Sequence, residues 1–448
     1  MLHDPFGLRV LLHHEVYAAP NRFFAHFFLH EYFRHVPLWL QAFLSPINSV
    51  YVACALVKLA VHLLLVYGLA VAASNCSNVL NWRFLLAAVL TTPLLQASGY
   101  YGQMGIVDQS ITYACFYALP MSLLLVFFLP FVRAALHGPP VRLSWPSYLA
   151  LAALAVVLAF NGPTVAATAL LVCSGSLPVA WHRRYAALPT AGALEPRAWR
   201  AFQEISPGLL WPFVWIIGLS LYSMYIGRNN SENLWATIPL AERYIRLAQG
   251  MVYQLVGSEL VTGDYRLASR FGLPLLLGAV LLNAWLGRRW LPTPQRATVL
   301  SALKWLGVFA LVYLLLLPLG GYRSYRAYVV RRDTILPITL GLVGLFTLST
   351  YWLLVYLPPR GRLRYAGAVL VLLAVFTVAD KHRISNTNAG ERRLLSLLSQ
   401  SEAPVVALPA DCNLMDWQPL TDYRKSELNS RLFHHWRITK TRKLYYQR

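Results

Sequence analysis

The sequence predicts an all-α polytopic membrane protein with about ten transmembrane helices, and three observations carry that prediction. Of 448 residues, 57% are hydrophobic and only 13% charged, with a mean hydropathy of +0.49. A soluble globular domain carries roughly 25% charged residues, so an ordinary soluble protein, a disordered tail and a fibrous protein are excluded. Apolar runs bounded by polar turns recur along the chain at spanning length. The third observation is charge: 39 Lys and Arg against 18 Asp and Glu give a net +21. In so apolar a chain that excess suits anionic lipid headgroups and not nucleic acid.

The first 45 residues are expected to form an external juxtamembrane segment. Arg22, His26, His30 and Arg34 recur at i+4, with Phe23, Phe24, Phe27, Phe28 and Phe33 on the flanks. That pattern predicts an N-terminal amphipathic helix over Asn21–Val36, lying in the membrane interface. A transmembrane domain over 46–379 follows. Its spans are expected at 46–72, 84–97, 110–132, 146–160, 163–181, 208–226, 271–287, 298–318, 335–357 and 365–379. Around Asn161-Gly162-Pro163 the sequence fits either a tight hairpin or one broken helix. Residues 380–448 are polar and predict a small external α/β domain. A helix over Glu391–Gln400, a strand over Ala403–Leu408 and a helix over Ser426–Trp436 are expected there. This extension is too short to bury a large core alone and should rest on the membrane part.

Short basic loops set the orientation. Arg83, then Arg133 and Arg142, then His182-Arg183-Arg184, then Arg288-Arg289, then Arg360, Arg362 and Arg364 fall in alternate loops, taken as cytoplasmic. The 98–109 and Asn161 connections contain no Lys or Arg. Alternation then puts residues 1–45 and 380–448 outside. Nothing in the opening Met1-Leu2-His3-Asp4-Pro5 resembles a signal peptide, so either the tail is carried across by a reverse anchor or, as is preferred here, a further apolar stretch of roughly 20 residues is encoded upstream.

Three outer segments carry candidate chemistry. The basic stripe of Arg22, His26 and His30 serves either as an interfacial anchor or as a face toward an anionic lipid. His26, His30 and Glu31 have the i,i+4 spacing of a metal site but lack a third ligand at defined spacing. No metal ligand set is assigned, and a divalent cation is the one cofactor left open. The acidic candidates are Asp4 and Asp108, the latter the sole charge in an outer loop rich in Gly and Tyr. A lone carboxylate beside a span either caps the next helix or serves function. The third segment, Gly320–Thr334, holds Arg323, Arg326, Arg331 and Arg332 with Tyr322, Tyr325 and Tyr328 interleaved. Guanidinium forks match phosphate oxygens, and tyrosines pack sugar or isoprenoid surfaces. Asp333 there pairs Arg332 or caps the following helix. Lys58 and His62 share one helix face and are read as structural, and Asn229-Asn230-Ser231 matches a glycosylation sequon. Five scattered cysteines show no pairing pattern. Neither a P-loop, a GxSxG elbow, an HExxH nor a CxxC pair occurs.

An amphipathic outer segment after Asp4, Asp108 in the next outer loop, and many spans leading to a small external C-terminal domain together resemble the GT-C-fold glycosyltransferases. These integral membrane enzymes use polyprenyl-phosphate-linked sugars. The resemblance is architectural. It implies a carboxylate base in the first outer loop, mapping to Asp4, with Asp108 matching the second acidic loop. It implies that Arg323, Arg326, Arg331 and Arg332 meet the lipid phosphate, with Arg22, His26, His30, Tyr322 and Tyr325 near the substrate. The implied partners are the lipid-linked sugar and membrane lipid, the implied site a bacterial cytoplasmic (inner) membrane, and the implied role envelope glycan assembly. The sequence departs from the family in lacking the first span and any paired acidic motif at Asp4. Two other classes stay open, a lipid or solute transporter and a non-catalytic envelope scaffold; neither donor sugar, acceptor nor oligomeric state is indicated.

Reporter fusions test the orientation. Junctions at Arg184, Arg289 and Arg448 should read inside, inside and outside. An inside reading at Arg448 would overturn the span count.

Overall fold

Long apolar runs without internal breakers propagate helix, and most of the chain lies in helices. The computed structural model describes residues 3–100, 103–138, 141, 143–188, 197–233, 238–256, 271–320, 326, 328–381 and 388–448. After a short α1 (Leu8–His13) come α2 (Phe23–Leu40) and the long α3 (Pro46–Ser74). α4 (Trp82–Thr91) runs into a 3₁₀ turn ending at Leu94, and α5 (Ile111–Tyr113) passes through a π-helical stretch, Ala114–Ala118, into α6 (Leu119–His137). Next are α7 (Trp145–Ala159), α8 (Pro163–Ala187), α9 (Arg197–Gln203), α10 (Pro207–Gly227) and α11 (Leu240–Val256). α12 (Gly272–Trp290), α13 (Thr293–Leu316), α14 (Leu336–Tyr356) and α15 (Pro359–Lys381) complete the apolar part. The C-terminal part holds α16 (Asn388–Gln400), β1 (Val405–Leu408), α17 (Glu427–His435) and β2 (Leu444–Gln447).

Helix boundaries follow local chemistry. Proline opens α7, α8, α10, α13 and α14 in the first turn, where its missing N–H is not needed. Gly138, at φ 90°, ends α6 in the left-handed conformation. Among the described residues seven helices are long and apolar enough to cross a membrane: Pro46–Ser74, Ile111–His137, Pro163–Ala187, Pro207–Gly227, Thr293–Leu319, Leu336–Tyr356 and Pro359–Asp380. The remaining three expected spans are also helical but fall short of that standard. Trp82–Leu94 and Trp145–Ala159 are shorter apolar helices, and Gly272–Trp290 carries Arg288 and Arg289 in its last turn.

The contacts divide the chain into two units, one of Met1–His26 with Val61–Arg383 and one of Phe27–Ala60 with Ile384–Arg448. In the first, polar side chains tie helix ends together at two places. At one end Arg133 donates to Asn75 Oδ1 (3.1 and 3.0 Å) and His137 Nε2 lies 2.8 Å from Ala72 O. At the other, the Asp380 carboxylate accepts from the backbone N–H groups of Ala97 and Ser98 (3.1 and 2.8 Å), and Gln96 Nε2 donates to Phe376 O (2.7 Å). α14 is the most enclosed candidate span, with 67% of its window buried. Asn283 Nδ2 donates to Ser349 Oγ (3.0 Å) and Thr350 Oγ1 (2.8 Å), and Tyr365 Oη donates to Asn283 Oδ1 (2.7 Å). Those polar contacts tie α12, α14 and α15 where apolar side chains alone would leave rotation free.

The segment around Asn161 is a hairpin. Trp215 Nε1 donates to Ala152 O and Ser223 Oγ to Ala159 O, which sets α7 parallel to α10. Trp181, near the end of α8, bonds Ala198 O of α9, just before α10 begins, so α8 runs back against it. The turn depends on Gly162 at φ +120° and ψ 160°, a region essentially reserved for glycine.

In the second unit the last residues complete a core with parts of α2 and α3. Leu394, Leu398, Leu408, Phe433, Trp436 and Tyr445 are buried, with Phe33, Ile47, Val50 and Tyr51 packed against them. Trp436 Nε1 donates to Phe33 O (2.7 Å), Gln41 Nε2 to Trp436 O (2.7 Å) and Tyr51 Oη to Glu391 Oε2 (2.8 Å). β1 and β2 pair in parallel with Val405 opposite Leu444. Lys443 reaches three carbonyls, of Leu398, Ser399 and Ser401, at the end of α16, which satisfies acceptors a helix terminus leaves open. The strand at 444–447 has no counterpart in the sequence expectations.

Gly162→Ala should destabilise the protein by about 1–3 kcal/mol, the cost of holding an L-residue in that region. Thermal unfolding in detergent should show a lowered midpoint; a parent-like midpoint would show that the turn relaxes freely.

Candidate functional site

The residues that feed α14 are built as a tight turn. Arg331 N–H donates to Thr334 Oγ1 (2.8 Å), and the Thr334 and Ile335 N–H groups donate to Arg331 O (3.0 Å each). Tyr313 Oη donates to Thr334 O (2.8 Å) from α13. With its backbone so held, Arg331 folds onto Asp333 as a two-pronged pair, Nε to Oδ1 at 3.0 Å and Nη2 to Oδ2 at 2.8 Å. The Tyr117 hydroxyl also bonds Asp333. Burial opposes ionisation of Asp333, but the Arg331 fork outweighs it and holds the carboxyl below the ordinary range. Burial likewise opposes the charge on Arg331, and the bond to Asp333 outweighs that too, raising its pKa.

Arg332 turns the other way. Its Nη2 lies 2.5 Å from Asp108 Oδ2, and its guanidinium sits 5.2 Å from the Tyr113 ring centre. Arg326 Nη2 donates to Tyr113 Oη (2.8 Å). Asp333 therefore pairs with Arg331 and not Arg332. Asp108 is buried, and its Oδ1 accepts the N–H of Ser110 (2.7 Å), the residue that opens α5. One Asp108 oxygen orders the turn before the helix, whose N-cap is Ser110, and the other faces a guanidinium.

The π-helical stretch Ala114–Ala118 sits in the turns that carry Tyr113, Phe116 and Tyr117. Such wide turns are rare and frequently mark functional sites. Arg22 is buried between two of these rings, 5.4 Å from the Phe116 centre and 5.5 Å from the Tyr117 centre, where cation–π attraction replaces part of its hydration. Tyr117 lies within electrostatic reach of Arg22, Arg331 and Asp333, so it links the two groups of arginines. The Phe24 N–H donates to Phe160 O (3.2 Å), seating Arg22 beside Gly162, where an added Cβ would lie 3.1 Å from Arg22 Nε.

A cleft of about 240 Å³ opens alongside, lined by Tyr17, Ala18, Ala19, Arg22, His26, Phe116 and Glu232. Its Tyr17 wall is fixed by Asp4, whose carboxylate accepts from Tyr17 Oη (2.8 Å), Leu8 N (2.8 Å) and Arg9 N (3.0 Å). Burial and the Asp4 bond push the Tyr17 phenol well above its ordinary pKa. The strap is pinned further by Asn230, whose Oδ1 accepts the Ala19 N–H (3.0 Å). The sequon residue Asn229 spends its amide on His14 O and Glu15 O (3.2 and 3.3 Å).

Of the sequence candidates, the structure brings Arg22, His26, Asp108, Arg326, Arg331 and Arg332 to one end of the first unit, and Asp4 joins them through Tyr17. His30 belongs to the second unit, with Nδ1 2.9 Å from Glu31 Oε1, and Glu31 also faces His35 at 3.3 Å. Arg323, Tyr322 and Tyr325 lie outside the described residues. Among the described residues no group of three or more His, Cys, Asp or Glu could hold a metal ion. The sequence reading missed Tyr17, Tyr113, Phe116, Tyr117 and Glu232. The available signal was Tyr113 and Tyr117 at i,i+4 in an otherwise apolar span, read only as part of the span.

Removing Asp333 leaves Arg331 without its fork partner in a buried place. Asp333→Ala should lower stability by about 3–5 kcal/mol, and adding Arg331→Met should restore much of it. The native pair's contribution should be complete above about pH 4, the unfolded carboxylate range, and be lost as pH falls through the lower folded-state value. Unfolding in detergent against pH checks both; equal stability of parent and Asp333→Ala would deny the pair its role.

No family model, curated protein or solved structure matches the chain.

Proposed function

We propose that the chain is an integral membrane glycosyltransferase that moves a sugar from a polyprenyl-phosphate donor to an envelope or glycan acceptor on the outer face of the membrane. The observation that supports it is the meeting of four guanidiniums, Arg22, Arg326, Arg331 and Arg332, with two carboxylates, Asp108 and Asp333, at one end of an apolar helical bundle. Charges so placed are costly beside a membrane unless used, and an excess of arginine forks suits a phosphate. The reading takes all ten apolar stretches as spans, with the clustered end outside and the membrane as a bacterial inner one.

In this scheme the acceptor hydroxyl enters the cleft and attacks the anomeric carbon of the donor. Asp108 takes the hydroxyl proton as the new carbon–oxygen bond forms and the bond to the lipid phosphate oxygen breaks, with inversion. The leaving phosphate keeps the electron pair, and Arg326, Arg331 and Arg332 balance its charge. Arg22 and His26 line the approach, and Tyr17, held by Asp4, forms the opposite wall. Arg323, Tyr322 and Tyr325 belong to the same arginine–tyrosine segment and are assigned to the phosphate and lipid side.

Loss of a charge-assisted hydrogen bond costs about 1.5–3 kcal/mol, so Arg326→Ala should reduce transfer roughly tenfold to more than a hundredfold. Arg326→Lys should recover part of it, since charge returns without the fork. Asp108→Asn should abolish transfer while preserving the turn before α5. Mass spectrometry of polyprenyl-phosphate sugars and surface glycans, at matched expression, reads each outcome. Normal products in all three variants would remove the glycosyltransferase reading.

A further inference from the structure

α11 packs Leu247, Met251 and Leu255 partly buried against the core, yet its most deeply buried residues are polar or glycine. Its buried residues are Arg243, Gly250 and Gln254. Arg243 donates through Nε to Ile238 O (3.0 Å) and through Nη1 to Pro318 O (3.4 Å). Gly250 lies so close to the arginine-bearing segment that an added Cβ would stand 2.9 Å from Val330 O. Tyr253 stacks on Tyr328 with centres 5.4 Å apart, and Gln103 Nε2 donates to Tyr253 O (2.7 Å). The outward face, by contrast, presents Leu240, Ala241, Ile245, Ala248 and Val252, with Gln249 and the partly exposed Glu242–Arg246 ion pair at its edge. Ala241, Ile245, Ala248 and Val252 follow the i, i+4, i+7 rhythm of one stripe. Ile245 and Val252 are 58% and 51% exposed.

Water selects the reverse arrangement, with apolar side chains inward and arginine outward. Inside a membrane, polar groups turn to the protein interior and apolar ones to lipid. The neighbourhood agrees. Tyr244, on the flank of the apolar stripe, donates to Leu315 O (2.9 Å) of α13. That span has only 11% of its window buried, and Leu311, Leu315, Leu316 and Leu319 are exposed on it. The apolar face of α11 thus continues a surface of the kind a span presents to acyl chains.

We propose that the outward face of α11 is seated among lipid acyl chains, so that Leu240–Val256 lies within the apolar layer of the membrane and not in an aqueous outer loop. The polar face of α11 then backs the arginine-bearing segment, which it contacts at Val330 and Tyr328. This inference needs no assumption about the reaction catalysed.

The test places a photoreactive benzoyl-phenylalanine at Ile245 or Val252 of the full chain, reconstituted in phosphatidylethanolamine–phosphatidylglycerol vesicles. Leu311 of α13 serves as the lipid-facing reference. Illumination should add the mass of a phospholipid at Ile245 and Val252 to an extent similar to Leu311. Lipid adducts at Leu311 with none at Ile245 or Val252, or cross-links there to another protein, would overturn the proposal. The two positions lie on separate turns, so a folding failure at one leaves the other to decide.

Discussion

The two-pronged contact between Arg331 and Asp333 is the constraint on which the rest of the candidate site depends. Taking both charges out of water is expensive, and the attraction between them offsets that expense only when the geometry is good and the remaining lone pairs are bonded. Here both conditions are met, by the fork itself and by the Tyr117 hydroxyl. Because the pair turns Arg331 toward Asp333, the adjacent Arg332 faces Asp108. Because it stands at the entry to α14, the most enclosed candidate span, its position is inherited from the core.

The second determinant is aromatic. Tyr113, Phe116 and Tyr117 project from the turns around a π-helical stretch, and each touches an arginine from a distant part of the chain: Arg326 and Arg332 at Tyr113, Arg22 at Phe116 and Tyr117. Tyrosine offers both a polar oxygen and a quadrupolar face, so three rings can gather three cations without three more carboxylates. A site assembled this way keeps more positive than negative charge, which is what an anionic group would meet.

Composition and apolar periodicity made the class of fold legible, because a span must be apolar along its whole length and the chain has few other ways to satisfy that demand. Asp108 stood out in the sequence as a lone charge, and Arg331 and Arg332 as arginines in an outer loop. The partnership Arg331–Asp333 in place of Arg332–Asp333 was not legible, since adjacent arginines are equivalent until a turn through Thr334 fixes their directions. Nor was the π-helical register, which shows no compositional mark. Gly162 was visible as a breaker, yet hairpin and broken helix differ in whether α8 folds back along α7, which tertiary packing decides. The strand at Leu444–Gln447 escaped notice because its partner, Val405–Leu408, lies far upstream and the pairing is parallel.

The central claim is that the arginines gathered around Tyr113 and Tyr117 form a site for an isoprenoid phosphate. Calorimetric titration of the detergent-purified chain with a short polyprenyl monophosphate tests it directly. The account predicts saturable binding that weakens about tenfold or more in Arg332→Ala, as expected for loss of a charge-assisted contact, and that the corresponding prenyl alcohol does not compete. Failure of the parent to bind, or equal binding of alcohol and phosphate, would contradict it.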